Sequence, residues 1–401
     1  MSKKIRPIKP KPTTVNSLTW TNMMRESNSQ EIPNKKVPHL LFKEMLRLSV
    51  QTCVEQSHQT IDARMVAKLE RLLNTNHTEL TPLIPLIYKK IKGQEQNTPL
   101  SEKLIAKMKY IAHQAIAVDM ENQQVLSNVF NEFAKNDIKV ILLKSAAFSG
   151  TIYSSAAPRI GVDLDILIQQ QDIQKAFAVI SQIASPKEVP TQRAHSHHTS
   201  FEHSFILKPQ ENTEVIIELH TGFFHQGLFS EIPHAFWHQS VPHPAYTHDN
   251  VRMLCPEHNL IHLAIHAFGN LSYTHHNVLD AHELISQNEI NWPLLYECAS
   301  TMRSRKALYA LLTHSISLFG TSVSMAPETP LKLKGRNTVS IKIASGLPDK
   351  LNLPFKGLSY RLMQLLIWPI MCDRTVDFLL FQKDYFNKRK QDLWQCKSSK
   401  E

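Results

Sequence analysis

At 401 residues, 42% of them hydrophobic, the chain is long enough for one catalytic domain with sizeable additions, or for two or three domains, and has the composition of a soluble globular protein. Its ten glycines form neither G-x-G-x-x-G nor G-x-x-x-x-G-K-[ST], which excludes a Rossmann fingerprint and a Walker loop. The formal charge of +10 is terminal: residues 1–37 carry a net +6 and residues 382–401 a net +3, which leaves about +1 for the middle. Such tails aid solubility, or make weak contacts to RNA, anionic lipid or an acidic partner.

In chain order, residues 1–37 are rich in Lys, Pro, Ser, Thr and Asn and are expected to be a disordered basic arm. Residues 38–136 form an N-terminal helical region. Its apolar positions recur at helical spacing (Leu41, Met45, Leu48, then Met65, Leu69, Leu72), and Ser101 stands as N-cap of a helix reaching about Lys135. Residues 137–250 form the core. There IKVILL (138–143) predicts a buried strand and Lys144–Tyr153 a helix. VDLDILI (162–168) predicts a second strand and Asp172–Ile183 a helix, and Phe201–Leu207 and Val215–His220 two further strands. Residues 251–320 are a helical subdomain, with helices over Pro256–Phe268, Asn277–Ser286 and Leu294–Leu318. Residues 321–356 read as a linker or excursion. Residues 357–401 read as a last helix, kinked or broken near Pro369, and a basic tail. The fold class expected is α+β, a small mixed sheet with helical flanks.

The five cysteines are scattered and never C-x-x-C, so a disulfide framework and a cysteine zinc site are both disfavoured. The first residues lack an apolar leader, and no segment is apolar enough for a membrane span. A cytoplasmic protein is expected, with leaderless secretion as the alternative.

The chemistry concentrates in the core. In VDLDILI, Asp163 and Asp165 share one face of a strand while Leu164 and Ile166 anchor the other. Adjacent carboxylates repel unless a cation lies between them, and oxygen ligands favour Mg²⁺, with Mn²⁺ as substitute. Alone, a D-x-D is common and often only a solvated strand edge. Here VIIELH adds Glu218, with His220 on the same face, and a third carboxylate on a neighbouring strand is what two-metal phosphoryl transfer requires. Upstream, Lys144 and Ser145 lie where a strand turns into a helix, whose free amides favour an anion. Arg159 sits four residues before Asp163, in reach of a triphosphate or of the carboxylates. Each is also an ordinary surface residue if taken singly.

The ordered string LLKSAAFSGTIYSSAAPRIGVDLDILI, followed by IIELH, resembles the uncharacterised nucleotidyltransferase family of the polymerase-beta-like superfamily. That family's pattern runs approximately LKGaa, lY, R, DiDlLv and vElHw. The match spans about Ile138 to His220, with a fainter continuation through LCPEHNLIHLAIHAFGN and NVLDAHELI. The resemblance implies an enzyme that moves a nucleoside monophosphate from an NTP, most naturally ATP, to a hydroxyl of an unknown acceptor, releasing pyrophosphate. It implies Asp163, Asp165 and Glu218 as catalytic metal ligands and Lys144, Ser145 and Arg159 as triphosphate contacts. His220, His266 and Asp280 become candidate substrate contacts, His266 and Asp280 as a pair. Two departures stand out: Ser145 replaces a glycine and Thr221 a tryptophan.

Among the 21 histidines, His262 and His266 have the i, i+4 spacing of zinc ligands, but H-E-x-x-H is absent, which excludes that metalloprotease motif. The His195–His198 run is expected to be a polar loop. Two further readings stay open: a degenerate member of the fold that binds a nucleotide or partner without turnover, and an RNA-associated protein working through its tails.

Overall fold

A computed structural model describes residues 70, 83–92, 100–153, 163–183, 201–207, 214–224, 227–271, 276–323, 339–346 and 358–383. The expected basic arm, Arg159 and the His195–His198 run lie outside these residues.

Helix α1 (Ile84–Ile91) packs on α2 (Glu102–Lys135), whose first turn is capped by Ser101: its Oγ accepts from Leu104 N–H at 3.4 Å. α2 runs uninterrupted because apolar residues from Leu104 to Phe133 keep one stripe buried, and it ends where Asp137 adopts a left-handed backbone, φ 51.

Strand β1 (Val140–Leu142) is wholly buried, as its apolar run requires. After it come the short helix α3 (Lys144–Phe148), β2 (Asp163–Ile168), α4 (Ile173–Ile183), β3 (Glu202–Leu207), β4 (Val215–His220), α5 (His234–His238), β5 (Val241–Pro242) and β6 (Val251–Met253). The sheet order is β3-β4-β2-β1-β6-β5. β2–β4 and β1–β6 are parallel, and the other pairs are antiparallel.

The sheet therefore has two strands more than expected and extends beyond residue 250. β5 and β6 are two and three residues long, too short to show a period. The expected helix from Lys144 to Tyr153 also stops early: Ser149 is extended, Gly150 is left-handed at φ 71, and Ser149 bridges to Tyr153.

Four helices follow, α6 (Pro256–Gly269), α7 (His276–Gln287), α8 (Trp292–Thr301) and α9 (Arg305–Phe319), packed on one another. α8 and α9 are separate helices where one was expected. Arg303 between them is left-handed, φ 54, and its guanidinium is held by Ser230 and Asp377. Within the expected linker, residues 339–346 are helical. α10 (Leu358–Met371) contains Pro369 and continues past it to Met371, because the carbonyl that loses its donor belongs to the exposed Leu365. A further helical stretch follows over 375–383. Trp368 fixes α10 against α6 by stacking on Phe268 at 5.6 Å.

Candidate active site

The Leu143 N–H donates to the Asp165 carbonyl at 3.0 Å, which sets Lys144 beside Asp165 as the chain leaves β1. On the other side of β2, the parallel register pairs Asp165 with Glu218 and Leu167 with His220. The two-residue period then gathers Asp163, Asp165, Glu218 and His220 on one face, and Leu164, Ile166, Ile217 and Leu219 on the buried opposite face. β3 extends the polar face: Ser204 is registered with Glu218 and Glu202 with His220.

Asp165 is the centre of the cluster and is 0% exposed. Its Oδ1 accepts from Lys144 Nζ at 2.6 Å and lies 2.9 Å from His220 Nε2. Its Oδ2 is buried and has no hydrogen-bond partner among the described residues. Ligand atoms of Asp165, Glu218 and His220 all fall within 4.8 Å of one another. Asp163, one pleat back on the same face, lies outside that set but within electrostatic reach of it. Ser204 Oγ donates to Glu218 Oε1 at 3.2 Å.

Charge is unevenly balanced here. Burial alone would raise the Asp165 pKa, but the Lys144 ammonium and His220 overrule it and hold the carboxyl well below the usual range. Burial would likewise lower Lys144, and Asp165 and Asp163 raise it instead. Burial pushes Glu218 up to about 9, reinforced by the charges of Asp163, Glu202 and Asp165. Asp163 is raised too, by burial and then by Asp165. Among the described residues one ammonium thus serves several carboxylates, and the shortfall appears as the raised Glu218.

That imbalance fits a hard divalent cation. An ionised carboxylate oxygen that is buried without a donor is costly. Asp165 Oδ2 is such an atom, beside a glutamate whose ionisation is opposed by like charge. A cation between them would satisfy the first and ionise the second.

The other expected residues are distributed more widely. Ser145 is almost wholly buried in the five-residue α3, and the left-handed backbone at this junction falls on Lys144, φ 49, while Ser145 is not among the left-handed residues. The Lys144 ammonium, expected on a triphosphate, is turned onto Asp165. His266 hydrogen-bonds Asn277 and Asn270, at 3.1 and 3.0 Å, where a contact with Asp280 was expected. Asp280 is fully buried and accepts from the Tyr153 hydroxyl at 2.7 Å, which ties the segment after α3 to α7. His203 points away from the cluster, edge-on to Phe177 at 4.7 Å.

Sequence reading missed the contact of His220 with Asp165, and the part played by Glu202 and Ser204. The signal for the latter was the alternation of β3, legible only once its register with β4 was known. It also missed that His262 and His266 both feel Lys144, Asp165 and His220. Burial first, then the positive charge of Lys144 and of neighbouring histidines, drives His262 well below its ordinary value and His266 down to about 3, with Asp165 opposing in both.

No curated protein and no solved structure is found to be similar to the chain. The family described as "Uncharacterised nucleotidyltransferase" matches residues 67–320, well over half of the sequence and the whole of the acidic cluster, which extends the resemblance on both sides of the Ile138–His220 stretch. With that span covered, the chain belongs to the uncharacterised nucleotidyltransferase family.

Proposed function

We propose that this transferase moves a nucleoside monophosphate from an NTP, ATP first among them, to a hydroxyl of its acceptor, using Mg²⁺ or Mn²⁺ held by Asp165, Glu218 and Asp163 with His220 beside them. The observation that carries the reading is the orphaned Oδ2 of Asp165 beside the raised carboxyl of Glu218. When bound, the cation supplies charge neutralisation at the phosphate oxygens and lowers the pKa of the acceptor hydroxyl.

The chain's own residues orient and hold. Ser204 fixes Glu218, and His220 and Lys144 fix Asp165 through its other oxygen. Lys144, Ser145 and Arg159 are the proposed triphosphate contacts, Lys144 exchanging Asp165 for phosphate as nucleotide enters. The acceptor's proton passes to one of these three carboxylates, so a separate base is unnecessary. His266, whose charged form burial disfavours, is the proposed contact on the acceptor side, together with His220. Asp280 is proposed to act from behind, through Tyr153.

Incubation with each α-labelled NTP, Mg²⁺ and a cell extract should transfer label to an acceptor, and Asp165→Asn should abolish it. Transfer by the variant at the native rate would overturn the assignment. A binding-only reading has one point in its favour, the Lys144–Asp165 contact that already satisfies part of the site. It predicts nucleotide retention with no pyrophosphate released.

A further inference from the structure

The C-terminal helices carry an apolar surface that the transferase site does not use. α10 buries Met363, Ile367, Trp368 and Met371 against the body of the protein, yet its other side exposes Leu362, Leu365, Leu366 and Ile370. The stretch 375–383 repeats the arrangement: Asp377 and Phe378 face inward, and Val376, Leu379 and Leu380 are about half exposed or more. Spacings of i, i+4, i+8 on the first helix and i, i+3, i+4 on the second make each set a single stripe. Seven large aliphatic side chains on consecutive helices exceed the scattered exposure that needs no explanation.

Among the described residues, the charges left exposed on these helices are of one sign. The two acids of this region, Asp373 and Asp377, are 4% and 5% exposed and are paired with Arg305, Arg303 and Arg374. The charged groups left on the outside are Arg361, Arg374 and Lys383. The sequence then continues with Lys388, Arg389, Lys390, Lys397 and Lys400 against Asp384, Asp392 and Glu401, so the last twenty residues carry a net +3, with Leu393 and Trp394 among them.

We propose that this face docks on an anionic lipid surface. The leucines enter the boundary between headgroups and acyl chains, and the exposed arginines, with the net positive charge of the tail sequence, meet lipid phosphates. The helices lie in the plane of the bilayer, in keeping with the finding that, among the described residues, no helix is long and apolar enough to cross one. A second copy of the chain is a poorer occupant, because a two-fold contact would bring together the exposed charges described on these helices, Arg361, Arg374 and Lys383, all of them basic.

The test is co-sedimentation of the full chain with vesicles of phosphatidylcholine, with and without about 30% phosphatidylserine, near physiological salt. Binding to the anionic vesicles is expected, weakened by added salt, with little on the neutral ones. Leu362→Asp/Leu366→Asp, on the exposed stripe, and Lys388→Gln/Arg389→Gln/Lys390→Gln, in the tail, should each lower vesicle binding by about tenfold or more. Circular dichroism melts check that both variants fold. Binding that persists in either variant, or no binding by the native chain, overturns the proposal. A native dimer that the aspartates dissolve, with no vesicle binding, assigns the face to a second copy instead.

Discussion

Lys144 donates to Asp165 Oδ1 at 2.6 Å from a residue whose own backbone is held left-handed at φ 49. For a non-glycine residue that conformation costs about 1–2 kcal/mol. The pair is the main opposite-sign contact of a fully buried aspartate, and it recovers the cost. Replacing one partner leaves the other charge buried, which typically costs about 3–5 kcal/mol. Asp165→Asn is therefore expected to lower the stability of the metal-free protein by roughly that amount, besides abolishing transfer. Urea denaturation in EDTA measures it, and an unchanged midpoint would show that the pair is not holding the site together.

The raised Glu218 makes a pH prediction whose direction follows from linkage. A carboxyl that ionises near pH 4.5 in the unfolded chain and near 9 in the fold binds more protons when folded between those values. Stability of the metal-free protein therefore falls as pH rises through this window. Asp163, also raised, acts in the same direction. The depressed histidines act oppositely, gaining stability as pH rises, but only below their unfolded value of about 6.5. Between pH 7 and 9 the carboxyls are thus isolated from them. Melting temperatures in EDTA should decline across that range for the native chain and be flatter for Glu218→Gln, and saturating Mg²⁺ should abolish the decline. Parallel profiles for the two proteins would remove Glu218 as the source.

How much of this was legible beforehand differs from element to element. Asp163, Asp165 and Glu218 could be assigned to one face because β2 and β4 alternate cleanly, and Ser101 announced the start of α2. Long-range register was hidden. Nothing local says that His220 meets Asp165, 55 positions away, or that Ser204 faces Glu218. The failure at Lys144–Tyr153 is of another kind: the run is apolar enough for a helix, but Gly150 and the bridge to Tyr153 end it after five residues. β6 was missed because Val251–Met253 gains its strand conformation from the β1 edge it joins, not from its own pattern.

The Tyr153–Asp280 hydrogen bond gives a test of how the core is joined to the helices. Tyr153 is 4% and Asp280 0% exposed, so Tyr153→Phe removes one donor from a buried acid and adds no bulk. A loss of about 1–3 kcal/mol is expected. Divalent-cation affinity should be unchanged, since neither group is among Asp165, Glu218 and His220. Chemical denaturation and calorimetric titration with Mn²⁺ separate the two effects. A variant with native stability but weakened Mn²⁺ binding would mean that Asp280 belongs to the site itself.

Gly269, near the end of α6, decides a packing question at the same boundary. A Cβ built there would stand 2.2 Å from Phe224 Cε2, far inside van der Waals contact. In a helix, glycine to alanine ordinarily gains up to about 1 kcal/mol. Here the Phe224 ring must move, and it is edge-on to Phe268 at 5.9 Å, Trp368 at 5.6 Å and Phe229 at 5.8 Å, so it has little freedom to do so. Overpacking of this kind costs about 1–3 kcal/mol and outweighs the helical gain. Gly269→Ala is accordingly expected to destabilise, and to alter the near-ultraviolet dichroism to which Trp368 contributes. Because Phe224 also neighbours Phe201 at 5.9 Å, and Phe201 lies 6.1 Å from His220, the displaced ring has a route to the acidic cluster. Mn²⁺ affinity should then weaken together with stability, whereas a variant more stable than the native chain would show that the ring swings aside freely.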